Sequence, residues 1–266
     1  MKSKKWSIVA FILAVLVVLG GCGKPATQGE GPSEGQEVIE TKTLVVGAAA
    51  SLNESFTELG QLFEADNPEW KVEFNFASSG NLKTSIEQGA PMDVFASAAE
   101  KQMNALKDSG HIDSDTVKLM VKNELVFIAP KNSSLSSLDE LPGLEKIAVG
   151  EPESVPAGQY AKESLTNLGL WDKLAGKLAF TKDVRQALFY VEQNEVDAGF
   201  VYATDAAKSD AVQVVMAMPE DSYASVLYPI GILASSENRE GAEKWVEFVL
   251  SDKGQEVLSK YGFKTP

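Results

Sequence analysis

Two residue types behind much enzyme and metal chemistry are almost missing. The 266-residue chain has one cysteine, Cys22, and one histidine, His111. A single cysteine forbids an internal disulfide, so the core alone must hold the fold. It also leaves no Cys–His nucleophile. His111, in the polar stretch "DSGHIDSD", reads as a solvated helix end rather than a member of a Ser–His–Asp site. A metal receptor wants several His or carboxylate ligands converging, and the acids here are scattered on helix faces. The expectation is no enzyme, no cofactor and no direct metal ligand. Positive charge is scarce too: 24 Lys and Arg against 38 Asp and Glu give a formal charge of −14. That balance excludes nucleic acid and anionic lipid as partners. An exposed aromatic or apolar stripe of the kind an adhesin uses is also missing.

There is one long apolar run. Basic "MKSKK" precedes "WSIVAFILAVLVVLGG", which is too short for a comfortable membrane span. Its end, "LGGC", has the form of a lipoprotein signal, with residues 1–21 removed and Cys22 lipidated. A lipid anchor explains an unpaired cysteine in an exported chain. Residues 1–21 hold three lysines and no acid, so their removal takes the charge from −14 to −17. Residues 23–41, rich in Gly, Pro, Glu and Gln, cannot bury a core and read as a flexible tether after Cys22. The folded part is then residues 42–266, large enough for two lobes.

That part alternates strands and helices. "TLVVGAAA" is the continuous apolar run of a buried parallel strand. In "SLNESFTELGQLF", Leu52, Phe56, Leu59 and Phe63 fall at helical spacing. "KVEFNF" alternates as a half-buried strand, a helix follows from about Asn81, and "DVFASA" is a strand before the helix "EKQMNALKDSG". The second half repeats this grammar with strands at "LVFIAP", "KIAVG", "AGFVYA", "VQVVMAM" and "YPIGILA", and closes on one or two helices. The pattern predicts α/β layers with mainly parallel sheets. Ligands in such sheets sit at the C-terminal ends of strands, where helix N-termini point.

Four strand-to-helix turns share one chemistry. "GAAASLNE" brings small residues and Ser51 to a helix start, and Ser51 with Glu54 also fits a capping box. "FASSGNL" offers Ser78 and Ser79, one more hydroxyl than a cap needs, beside Gly80. "EPESVPAGQY" puts Pro156 at a first helical position, leaving the N–H groups of Ala157 and Gly158 unshielded. In "KDVRQA", Asp183 is a plausible cap and the Val184 N–H faces forward. Helix N-termini carry about half a positive charge and orphan donors, so they bind anions without a cation. A ring of neutral donors suits a small, fully ionised oxyanion, despite the acidic surface, because exposed charges are screened beyond roughly 8 Å. Hydrogen phosphate carries a proton and needs an acceptor such as a carboxylate, for which Asp183 and Asp205 are the candidates.

With "AAASL", "FASSGNL", "GAPMDVFASA", "GEPESVPAGQYAKESL", "DVRQAL", "GFVYATDA" and the closing "YGF", residues 42–266 resemble the substrate-binding component of molybdate ABC transporters. The resemblance implies a two-lobed periplasmic-binding-protein fold of type II, with the ligand in the interlobe cleft. Lobe 1 would be residues 42–123 plus 228–266 and lobe 2 residues 124–227, with crossings near 122–125 and 225–229. It implies molybdate or tungstate held by the hydroxyls of Ser51, Ser79 and Tyr202 and the backbone N–H groups of Ala157 and Val184. Gly80 departs from the pattern, since relatives carry a third hydroxyl there. The implied partners are a membrane permease and its ATPase, with the protein a monomer, extracytoplasmic and anchored to the cell membrane through Cys22. Sulfate or another tetrahedral dianion would be served by the same donors.

Overall fold

The computed structural model describes residues 41–266. The expected signal, Cys22 and the tether up to residue 40 lie outside the described residues.

Two five-stranded sheets form two lobes with the same plan. In the first, β1 (Lys42–Ala49), β2 (Trp70–Ala77) and β3 (Val94–Ala96) run parallel in the order β2-β1-β3. β10 (Val226–Ile232) then lies antiparallel to β3, and β4 (Lys118–Asn123) closes the edge antiparallel to β10. In the second, β6 (Ile147–Gly150), β7 (Leu178–Thr181) and β8 (Ala198–Tyr202) run parallel in the order β7-β6-β8. β5 (Leu125–Pro130) lies antiparallel to β8, and β9 (Val212–Ala217) closes the edge antiparallel to β5, running with the other three. The chain leaves the first sheet after Asn123 and re-enters it at Val226.

Each sheet is thus mainly parallel, as expected, with one strand reversed: β10 in the first and β5 in the second. The cause is the double crossing: β5 and β10 each enter a sheet from the other lobe. They are not tied to their neighbours by a βαβ unit, whose right-handed crossover forces parallel pairing. β4 and β7 are two strands that hydrophobic pattern does not reveal. Both lie at a sheet edge, and an edge strand needs little apolar surface. β4 carries Lys118 and Lys122 around a short apolar centre, and β7 is four residues long with Phe180 outside.

Helices cover the sheets: α1 (Asn53–Asp66), α2 (Ser79–Glu87) and α3 (Glu100–Asp108) in the first lobe; α4 (Pro156–Asn167), α5 (Val184–Glu192) and α6 (Ala203–Ala206) in the second. α7 (Arg239–Leu250) and α8 (Asp252–Lys260) return to the first. The helical spacing read in α1 is the buried face: Leu52, Phe56, Leu59 and Phe63 have no exposed surface. Trp245 of α7 packs edge-on against Phe56 and Phe63 at 5.7 and 5.4 Å. Each such ring adds about 1.5–3 kcal/mol by burial, so this corner fixes where α1 begins, and with it Ser51. No helix among the described residues is long and apolar enough to cross a membrane.

Candidate functional site

The C-terminal ends of β1, β2, β6, β7 and β8 converge between the lobes on a small cavity of about 10 Å3. Ser51, Ser79, Ala157, Val184 and Tyr202 all line it, with Ala49, Ala50, Ser78, Ala98, Val155 and Pro156. No charged side chain does. A wider hollow of about 280 Å3 lies at Lys122, Glu124, Glu220 and Lys264, but it is open and Lys264 is paired with Glu124 at 3.0 Å.

Each donor is set by local structure. Ser51 sits in the short 3-10 turn Ala50–Leu52 that links β1 to α1, 1 % exposed. It makes no capping bond; its Oγ lies 2.9 Å from the Tyr228 hydroxyl. Glu54 is likewise no part of a capping box, because its carboxylate is taken by Arg185 and Lys208. In the second turn the two serines divide the work. Ser78 caps α2 by accepting from the Asn81 N–H at 3.3 Å. Ser79 Oγ accepts from the Ala98 N–H at 3.0 Å, so its own proton is free for the cavity.

Pro156 opens α4, and Ala157 follows in the first turn, where the helix has no carbonyl to offer its N–H. Val184 opens α5 behind Asp183, whose carboxylate accepts from the Gln186 N–H at 2.8 Å. Asp183 is thus a cap and does not line the cavity. Asp205 does not line it either. It is fully buried in α6, 3.5 Å from Arg185, and burial pushes its carboxyl up to about 6. Tyr202 ends β8 with 1 % exposure, and its hydroxyl has no hydrogen-bond partner. Burial holds that phenol protonated well above its ordinary range, so it is a donor at any working pH. A buried hydroxyl without a partner costs about 1–3 kcal/mol. The cavity lining is therefore donor-rich, neutral and free of carboxylate.

Contacts across the cleft hold this arrangement. The Gly80 N–H donates to Ser154 O at 2.9 Å, joining α2 of the first lobe to the loop before α4 of the second. A Cβ on Gly80 would lie 2.4 Å from that oxygen, so even alanine cannot sit there without parting the lobes. Glu54 of the first lobe is gripped by Arg185 at 2.6 Å and Lys208 at 2.8 Å from the second. Burial raises its carboxyl, but the two cations outweigh it and hold the group below the ordinary range. The sequence gives no sign of this grip, or of the Tyr228 contact to Ser51. Tyr228 reads only as a strand residue, and its partners are distant in the chain.

Residues 44–264 match the family model described as bacterial extracellular solute-binding protein. A Bacillus subtilis protein, provisionally named the ABC transporter substrate-binding lipoprotein YvgL, is 41% identical over 98% of both chains. The molybdate-binding protein ModA of Haemophilus influenzae is 40% identical, covering 83% of this chain and 89% of its own. Among solved structures, the periplasmic molybdate-binding protein of Azotobacter vinelandii superposes with a TM-score of 0.75 at 24% identity, covering 84% of this chain and 99% of its own. The two-lobed α/β architecture is thus that of the periplasmic binding proteins. The chain belongs to the bacterial extracellular solute-binding proteins, in the group that contains the molybdate-binding proteins of ABC transporters.

Proposed function

We propose that this protein captures molybdate or tungstate outside the cytoplasm and hands it to the permease and ATPase of an ABC importer. The observation that carries this reading is the Tyr202 hydroxyl: fully buried, unpartnered, and facing a cavity lined by neutral donors. A fold keeps such a group when something else supplies the acceptor. A tetrahedral oxyanion without a proton accepts from every side and leaves no donor unmatched. The cavity is far too small for a sugar, an amino acid or a peptide, and the lobes part slightly to admit even an oxyanion. Names borne by relatives 30–41% identical agree with molybdate and with a lipoprotein.

In this reading Ser51, Ser79 and Tyr202 donate through hydroxyls, and Ala157 and Val184 through N–H groups at two helix N-termini. The donors come from both lobes, residues 42–123 with 228–266 and residues 124–227, so closure about a hinge near 122–125 and 225–229 assembles the site. Cys22 carries the lipid that keeps the monomer at the membrane near its permease.

The test is thermal unfolding of residues 23–266 with molybdate, tungstate, sulfate and phosphate added separately. A ligand at a hundred times its dissociation constant stabilises by about 2.7 kcal/mol, or roughly 5–11 °C for a domain of this size. Micromolar molybdate and tungstate should give that shift or more. Sulfate, the smaller tetrahedron, should need far higher concentration, and phosphate should do least. Equal shifts from sulfate and molybdate would make this a general dianion receptor. A phosphate shift matching molybdate would contradict the donor-only reading.

A further inference from the structure

We propose that Tyr228 and Asn123 fix the polarity of Ser51, locking its hydroxyl as a donor toward the cavity and so rejecting anions that carry a proton. This rests on Ser51 being one of the oxyanion's donors.

The chain of reasoning starts at Asn123, the last residue of β4. Its Oδ1 accepts the N–H of Glu124 at 2.9 Å. That contact settles the amide orientation, because the reverse would set an amide donor against a backbone donor. Its two Nδ2 protons then go to Thr204 Oγ1 at 2.9 Å and to the Tyr228 hydroxyl at 3.2 Å. Tyr228 has no exposed surface, and burial keeps its phenol protonated. Its oxygen already accepts from Asn123, so it has one proton to place. Among the described residues its remaining partner is Ser51 Oγ at 2.9 Å. Were Ser51 the donor in that pair, the phenol proton would be left to the neighbouring Tyr202 hydroxyl, which makes no well-formed hydrogen bond with it, whereas Ser51 Oγ lies at 2.9 Å. The relay therefore runs one way: Asn123 to Tyr228, Tyr228 to Ser51, and Ser51 out to the cavity.

The polarity matters for selection. Hydrogen phosphate must place its own proton on an acceptor, and at Ser51 it meets a second donor. A site denying a polar group its partner rejects that ligand strongly. Ser79 is set the same way by the Ala98 N–H, a backbone group that no substitution reverses. Ser51 is the serine whose direction depends on side chains.

Asn123→Asp tests the direction at constant shape. The carboxylate can still accept from Glu124, but its second oxygen must accept from Tyr228. Tyr228 then accepts from Ser51, which turns a lone pair to the cavity. Dissociation constants are measured by calorimetry at pH 8, where molybdate and hydrogen phosphate are both dianions, so the added charge affects both alike. The preference for molybdate over hydrogen phosphate should fall by at least about tenfold. An unchanged preference overturns the relay. A double-mutant cycle gives a second reading with milder changes. Tyr228→Phe should weaken molybdate binding roughly three- to tenfold, the cost of reorienting a freed hydroxyl, and by nothing further when Ser51→Ala is already present. The same loss in both backgrounds would make Tyr228 a packing residue only and overturn the proposal. Wild-type protein that binds no molybdate at all would instead overturn the function on which the proposal rests.

Discussion

Replacing Tyr202 by phenylalanine should move stability and affinity in opposite directions. The ring keeps its place: it packs edge-on to Tyr228 at 5.8 Å between centroids and fills the end of β8. The hydroxyl, however, makes no hydrogen bond to another protein group. Deleting an unsatisfied buried hydroxyl removes its desolvation cost, so the free variant should gain about 1 kcal/mol, or roughly 2–4 °C in Tm. Opening of the lobes that wets the hydroxyl shrinks this gain toward zero but does not reverse it. In the complex the same hydroxyl donates to a dianion, and losing a hydrogen bond to a charged group costs about 1.5–3 kcal/mol. The Kd for molybdate should therefore rise about 10- to 150-fold. Scanning calorimetry of the free protein and titration calorimetry with molybdate read the two effects separately. A variant less stable than the parent, with unchanged Kd, would mean that the hydroxyl serves the fold and not a ligand.

Two further outcomes follow from contacts around the cavity. Gly80→Ala places a Cβ 2.4 Å from Ser154 O, and overpacking of about 1–3 kcal/mol should weaken molybdate binding about 5- to 150-fold. Small-angle scattering should then show little compaction with molybdate, and wild-type compaction would contradict the role of Gly80 in closure. Asp205→Asn should alter the pH dependence of stability. Its carboxyl lies at about 6 rather than 3.8 because burial disfavours the charge, so the folded state binds this proton more tightly than the unfolded chain. That stabilisation is complete below about pH 3.8 and is lost as pH rises through about 6. Asn should therefore be the more stable side chain at pH 8, by up to about 3 kcal/mol, with the gap closing near pH 4. Urea unfolding at pH 4, 6 and 8 checks this, and a pH-independent difference would refute it.

What could be read beforehand follows distance along the chain. The serines, alanines and valine of the four turns announce themselves because a helix start has a local signature: a cap, a proline, small residues. The face of α1 is equally local, four apolar residues at helical spacing. The Ser51–Glu54 capping box is the instructive miss. The motif is present, yet Glu54 goes to Arg185, 131 residues on, and Ser51 to Tyr228, 177 residues on. Tertiary partners outcompeted the local bond. Gly80 stood out only as a missing hydroxyl, and the approach of Ser154 to it comes from the other lobe. The one reversed strand of each sheet, β10 or β5, is hidden for the same cause: alternation of strands and helices does not show which strands enter from across the hinge.

The most direct measurement is anomalous diffraction at the molybdenum edge from crystals grown with equimolar molybdate. One peak per chain is expected, within hydrogen-bonding reach, through its oxygens, of the hydroxyls of Ser51, Ser79 and Tyr202 and the N–H groups of Ala157 and Val184. A peak seated instead against a cation such as Lys122 or Lys264, or no peak in a crystal that holds molybdate in solution, would contradict a neutral donor site between the lobes.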